Sequence, residues 1–344
     1  MTFKAFAKVT LVSIFLIIVA GSVVRMTGSG MGCPDWPKCF GLIIPPTSVS
    51  EIEWEQGKSF VEGQMIIHHE QLWSAKVAFV SSETYTASNW ILYTKHDYAD
   101  FNPTHTWTEY INRLVGAISG VFTFVMLLMS FRYWNTKRKI VYLSASVVLL
   151  MGFQGWLGAV VVYSVLQPVQ ITIHMLMALF IVALMVYLIS ELPNEKKGVI
   201  RAYDHRLRKM LVLALRITIA QIILGTQVRQ LVDVVSKSLD YGQRELWLDM
   251  VGNTFKFHRS VAIILVLVNG LLFIRNYKFN LGFTLPKYIM LVIFIEVLSG
   301  VLLSYMDMMS LMQPIHMVAA SVLFVLQIAF YFQLRKLKTI QDSL

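Results

Sequence analysis

Apolar residues arrive in this chain as eight separate blocks, at 5–25, 110–131, 140–162, 169–190, 209–230, 256–275, 286–305 and 313–334. Each is close to the ~20 residues a helix needs to cross a hydrocarbon core of about 30 Å. Every gap between them holds proline, glycine or charge. Backbone inside lipid must satisfy its own hydrogen bonds, so such blocks can only be helices. The predicted fold is an all-α integral membrane protein with eight transmembrane helices. Composition agrees: with 56% hydrophobic and 15% charged residues, the chain has too little polar surface to cover a soluble core. The first block is expected to be a retained anchor, because it lacks a small-x-small cleavage site and runs directly into Arg25.

A net charge of +10 might point to nucleic acid, but no basic stripe carries interleaved aromatics, and nucleic acid is excluded as a partner. Lys and Arg fall instead in short gaps between blocks, as topology demands. One side receives Lys4 and Lys8, then Arg132, Lys137, Arg138 and Lys139, the segment Lys196 to Lys209, Arg275, Lys278 and Lys287, and finally Arg335, Lys336 and Lys338. The other side holds the long loop 26–108, richer in acids than bases, and short loops near 163–168 and 306–312. Both termini are therefore expected in the cytoplasm and loop 26–108 outside, in a bacterial cytoplasmic membrane. The Trp, Tyr and acidic content of that loop reads as an ordered cap, with a length that invites a lid or docking role.

Cys33 and Cys39 lie in that outer loop. Five intervening residues do not make a CxxC motif, and two thiols do not make a zinc site. On an oxidising side a disulfide is expected, either as a staple or with a redox role.

The two halves of the chain repeat one another. Gly21-Ser22-Val23-Val24-Arg25 matches Gly225-Thr226-Gln227-Val228-Arg229; Asn112-Arg113 matches His258-Arg259. Gln154-Gly155-Trp156-Leu157-Gly158 matches the region of Leu298-Ser299-Gly300, and Gln167-Pro168 with His174 matches Gln313-Pro314 with His316. Four matches in the same order predict two tandem four-helix bundles, 1–190 (with loop 26–108) and 191–344. Because each copy has an even number of spans, an axis along the membrane normal relates them.

Ionisable residues inside spans are costly and mark function by default. His258 and His316 sit at similar depth on the sixth and eighth spans, where two neutral imidazoles can supply both axial ligands of one haem iron. Alone, either would read as an interhelical hydrogen-bonding histidine. Arg25, Arg113, Arg229 and Arg259 lie at the outer boundary, where arginine is disfavoured unless it meets a carboxylate such as a haem propionate; the plain alternative is snorkelling to headgroups. Glu109 lies one turn from Asn112 on the same helix face, and its counterpart in the second half is Phe255. It reads either as an interfacial acid or as a proton-handling group beside the first-half site. His68, His69, His96 and His105 are expected to be solvated in the outer loop, and His205 to lie in a cytoplasmic loop.

The stretches Arg25-Met26-Thr27-Gly28-Ser29-Gly30 and Gly32-Cys33-Pro34-Asp35-Trp36-Pro37-Lys38-Cys39 resemble the haem A synthase family, as do Glu109 to Arg113, His174, His258-Arg259 and Gln313-Pro314-Ile315-His316. The resemblance covers nearly the whole chain. It implies an oxidoreductase that turns a methyl group of haem O into a formyl group, with haem b as cofactor in the C-terminal half. On that resemblance His258 and His316 ligate haem b, with Arg259 and Arg229 on propionates. Substrate haem O meets His174, Asn112, Arg113 and Arg25, and Glu109 is the essential acid. The implied partners are haem O synthase, an electron acceptor and the lipid membrane, and a homo-oligomer is compatible with all of this. The chain departs from the family at Asn112, where the Glu-x-x-His-Arg pattern has histidine; an amide is a poor iron ligand. A b-type transmembrane cytochrome and a haem carrier are the competing functions.

Overall fold

A computed structural model describes residues 1–96, 99–193 and 203–342. Residues 194–202, part of the basic segment used above for orientation, lie outside the described residues. Nine helices are present among the described residues: α1 Phe3–Met26, α2 Pro103–Ser130, α3 Arg138–Tyr163, α4 Pro168–Glu191, α5 His205–Ser238, α6 Trp247–Val251, α7 Asn253–Lys278, α8 Leu285–Tyr305 and α9 Met312–Asp342. All but the short α6 are long and apolar enough to cross a membrane, and the protein is an integral membrane protein. Their starts are written locally. Pro103 and Pro168 open α2 and α4, and Pro286 lies in the first turn of α8, where a missing N–H costs nothing. Asp204 caps α5 by accepting from the Leu207 N–H at 2.6 Å. That carboxylate also takes a two-pronged contact from Arg275 of α7, at 3.0 and 2.8 Å, which holds its pKa below the usual value.

Apolar pattern located the spans well, but it stopped α5 too early. The helix continues to Ser238, past the block ending at 230, because Arg229 and Asp233 pair one turn apart at 3.0 Å. Hydropathy marks where lipid ends; the helix ends where its own pairs run out.

The described chain divides into two compact units. One comprises Met1–Phe15, Thr123–Val148 and Leu176–Leu344, the other Leu16–Phe122 and Leu149–Met175. The division cuts through α1, α2, α3 and α4, not at residue 190.

In the first unit α5 packs on α7 and α9, and α8 packs on α7 and α9, which closes a ring of four helices. Its interior holds a polar chain: Thr218 donates to Gln327 Oε1 at 2.8 Å, Gln327 donates to Asn269 Oδ1 at 3.1 Å, and Asn269 donates to the Leu265 carbonyl at 2.8 Å. All three side chains are buried, so each must find its partner inside the protein.

The second unit contains the long loop 26–108, whose described residues pack into apolar clusters rich in aromatic side chains. It also contains small antiparallel sheets that the sequence reading did not anticipate. Strand β1 (Ser59–Phe60) pairs with β4 (Phe79–Val80), and β3 (Gln71–Ala75) lies between β2 (Met65–His68) and β5 (Trp90–Leu92). The β2–β3 turn is His69-Glu70, both with positive φ, the backbone hand that matches strand twist. Successive β2 residues face opposite ways. Met65 joins a cluster with Cys33, Cys39, Phe40, Ile52 and Leu72, whereas Ile66 joins Phe60, Ala75 and Trp90.

Candidate functional site

Three histidines inside the spans are seated in one repeated way. On a neighbouring helix, a glycine lies against the ring and a Gln or Glu sits one turn before that glycine. For His174 on α4 these are Gly158 and Gln154 of α3; for His258 on α7 they are Gly225 and Gln221 of α5; for His316 on α9 they are Gly300 and Glu296 of α8. A Cβ on Gly225 or Gly300 would come within 3.2 or 3.3 Å of the ring, and one on Gly158 within 3.6 Å. The absent side chain is therefore what lets the ring lie close to the helix.

The Gln arms donate to the histidines' own carbonyls, Gln154 to His174 at 3.0 Å and Gln221 to His258 at 2.9 Å. The buried Nδ1 atoms of His174 and His258 have no hydrogen-bond partner. A neutral imidazole nitrogen so placed is able to serve a ligand. His316 is held differently: its Nδ1 meets the Glu296 carboxylate at 2.8 Å, Ser299 Oγ at 2.9 Å and the Glu296 carbonyl at 3.2 Å. The His258 and His316 rings face one another with centroids 6.5 Å apart and planes at 73°.

This geometry revises one register in the repeat. Gln154 precedes His174 by 20 residues, and Glu296 precedes His316 by 20. The Gln167-Pro168 and Gln313-Pro314 pairs, aligned with each other, would set those histidines one turn out of step. They lie at helix starts; the glycine–histidine contacts give a different register, with Gln154–His174 opposite Glu296–His316.

Around Glu109 the arrangement is a clamp on the disulfide loop. Cys33 and Cys39 are joined, with Cα atoms 4.8 Å apart. Arg113 donates to the carbonyls of Asp35 at 2.6 Å, Lys38 at 2.8 Å and Cys33 at 3.4 Å, and pairs with the Glu109 carboxylate one turn back. Glu109 Oε2 accepts the Cys33 N–H at 2.9 Å. Tyr93 and His96 reach the Pro34 carbonyl at 3.0 and 2.9 Å, and Tyr163 donates to the Trp36 carbonyl at 3.0 Å. Gly32 sits against the His105 backbone so closely that any Cβ would clash, at 2.4 Å. Asp35 accepts from the Gly41 N–H at 3.0 Å; burial pushes its carboxyl above the ordinary range against the pull of Arg113.

Several expectations change here. Arg113 spends its donors on the loop and Glu109 instead of presenting them outward. His96 is half-buried against Pro34 and His105 lies in the first turn of α2, so neither is a solvated loop residue, while His69 is exposed. His68 stacks on Tyr85 at 4.3 Å. His205 opens α5 as an exposed helical residue. In the second half, Arg259 is exposed with its guanidinium 5.9 Å from the Phe255 ring, which repeats the Glu109–Arg113 spacing without the acid. Arg229 donates to Gln313 Oε1 at 2.6 Å, and Arg25 is half-buried near the end of α1. Asn112 lies near Gly21, whose Cβ position is 3.9 Å from Oδ1. The sequence reading names Gln154 only within a repeat match and does not name Gln221 or Glu296 as holders; a Gln/Glu-x-x-x-Gly spacing recurring at three places is the signal available.

The family model described as cytochrome oxidase assembly protein matches residues 4–81 and 81–328. The chain belongs to this family. Among cytochrome oxidase assembly relatives, a protein named heme A synthase from Pelagibacter ubique is 25% identical over 86% of this chain and 88% of its own length. One of the same name from Ehrlichia canis is 24% identical over 93% of this chain and 90% of its own. A third, from Shewanella oneidensis, is 25% identical over 63% of this chain, a match that spans 54% of that protein.

Proposed function

We propose that the chain is a haem A synthase, a membrane oxidoreductase that oxidises a methyl group of haem O to a formyl group. The observation that carries this reading is the His258–His316 pair. A metal about 2 Å from each of two imidazole nitrogens sets the ring centroids roughly 6 Å apart, and the two rings stand at 6.5 Å. Among the described residues no group of three or more His, Cys, Asp or Glu gathers as a metal site. Two opposed imidazoles alone suit a metal that brings its own equatorial donors, as haem does.

In this reading His258 and His316 would hold haem b, which would supply one-electron redox chemistry when bound. Glu296 and Ser299 fix the His316 ring through Nδ1 and raise its strength as a donor. Gln221 anchors the backbone of His258, and Gly225 and Gly300 give both rings room. The exposed guanidinium of Arg259 suits a propionate, and Arg229 lies on the same outer end. Substrate haem O is held by His174, with Asn112, Arg25 and Arg113 around it; Arg113 acts there by fixing the loop. Water supplies the formyl oxygen, and Glu109 accepts protons from the four released with four electrons as the methyl group is oxidised. The substrate is delivered by a haem O synthase, and electrons leave to a redox acceptor.

The duplicated bundles 1–190 and 191–344 remain part of this proposal, supported by the three matching histidine seats. Orientation follows the charge pattern, with termini cytoplasmic in a bacterial inner membrane. The contrast between Glu109–Asn112 and Phe255–His258 favours an enzyme over a cytochrome with two equivalent haems.

The test uses the purified full chain in detergent, supplied with haem O and a redox partner. Extracted haem is expected to contain the alcohol and formyl products, and His258→Ala is expected to remove haem b and product together. A wild-type preparation that carries haem b yet leaves haem O unchanged would overturn the assignment.

A further inference from the structure

Three of the four seats in the repeat hold a histidine, and the fourth has neither the histidine nor the polar holder. The matching pentapeptides set Gly21 opposite Gly225, and Gly21 of α1 faces Asn112 where Gly225 of α5 faces His258. One turn before Gly225 stands the holder Gln221; one turn before Gly21 stands Ile17. The ring and the arm that fixes its backbone are therefore both absent from the first-half seat. Isoleucine has no donor for a carbonyl across the helix interface. The Asn112 Oδ1 is buried without a hydrogen-bond partner.

Had Asn112 been a substitute ligand, the holder would still be needed to aim it, because ligands are oriented by the groups behind them. A neutral amide also binds iron poorly beside imidazole. With both parts absent and the glycine present, the seat offers isoleucine on one side and a single amide.

We propose that substrate haem is held by this chain through His174 alone, and that the Asn112 face of its iron is an open position for a small external ligand. The ligand class is a diatomic gas or cyanide, and the Asn112 amide is the polar group beside it. This rests on the reading of the chain as a haem A synthase, and deepens it at the substrate site. The second-half pair, by contrast, closes both faces of its iron.

Carbon monoxide is the probe. The purified full chain, loaded with haem O and reduced, is titrated with the gas and followed by its optical spectrum. One of the two haems is expected to bind it, while the haem between His258 and His316 stays six-coordinate. The double variant Ile17→Gln/Asn112→His, which rebuilds the seat, is expected to lose that binding and, in the oxidised protein, to turn the high-spin ferric signal in electron resonance low-spin. Carbon monoxide on neither haem, or on both, overturns the open position while leaving haem binding intact. A double variant that folds, retains both haems and still binds the gas also overturns it. A chain that holds no haem at all removes the underlying reading as well.

Discussion

Arg113 concentrates more of the site's energetics than any other single side chain. Its guanidinium spans from Glu109 on its own helix to three carbonyls of the Cys33–Lys38 loop, and its charge also acts on Asp35. It is nearly buried, with 12% of the side chain exposed. Removing one partner of such a cluster leaves the remaining groups desolvated and unpaired, at a cost of about 3–5 kcal/mol. Arg113→Ala is therefore expected to lower the melting temperature in detergent sharply, and Arg113→Lys to recover only part, since an ammonium lacks the planar fork. Glu109→Gln separates chemistry from scaffold: the amide oxygen still accepts the Cys33 N–H, so thermal stability should move far less than in Arg113→Ala while product formation falls. Undiminished turnover in Glu109→Gln would remove the acid from the reaction. Sequence could place Arg113 at the boundary because arginine there is anomalous, but its acceptors are backbone carbonyls, which leave no mark in a sequence.

At the scale of elements, the spans were legible because lipid imposes one length and one polarity on every helix. Their contents were legible only where polarity was extreme. His258 and His316 stand out in apolar runs, whereas the Gln/Glu-x-x-x-Gly spacing of Gln154, Gln221 and Glu296 becomes informative only when the packed helices set each glycine against a histidine ring. The small sheets of the outer loop escaped notice because strands of two to five residues are stabilised by pairing across the loop, not by local pattern. The buried chain Thr218–Gln327–Asn269 joins α5, α9 and α7 through hydrogen bonds that lipid cannot replace. Gln327→Leu strands both neighbours. The expected loss is roughly 1–2 kcal/mol, visible as a lower melting temperature, and adding Thr218→Val should cost less than the sum of the single changes. Strict additivity would show that the chain does not act as a unit.

For the whole molecule, charge and span number together predict which parts share a side of the membrane. Eight spans return the chain to the side on which it began, so the N-terminal lysines and the C-terminal Arg335, Lys336 and Lys338 should lie together. The α2–α3 connection, with Arg132 and Lys137 and with Arg138 at the start of α3, belongs with them by the positive-inside rule. The outer loop and the short α8–α9 connection then face the opposite compartment. Because both natural cysteines are locked in the Cys33–Cys39 bond, an introduced cysteine is the chain's sole free thiol. Glu83, Asn135 and Ser310 are exposed and lie outside the helices, so each tolerates such a reporter. In intact cells stripped of their outer permeability barrier, an impermeant maleimide should label Glu83→Cys and Ser310→Cys. Asn135→Cys should label only after the membrane is opened. Reversal of all three would invert the orientation and place the disulfide in a reducing compartment, where it would be hard to sustain. Labelling of Glu83→Cys and Ser310→Cys from opposite sides would break the even span count itself, and with it the parallel alignment of the two histidine-bearing halves.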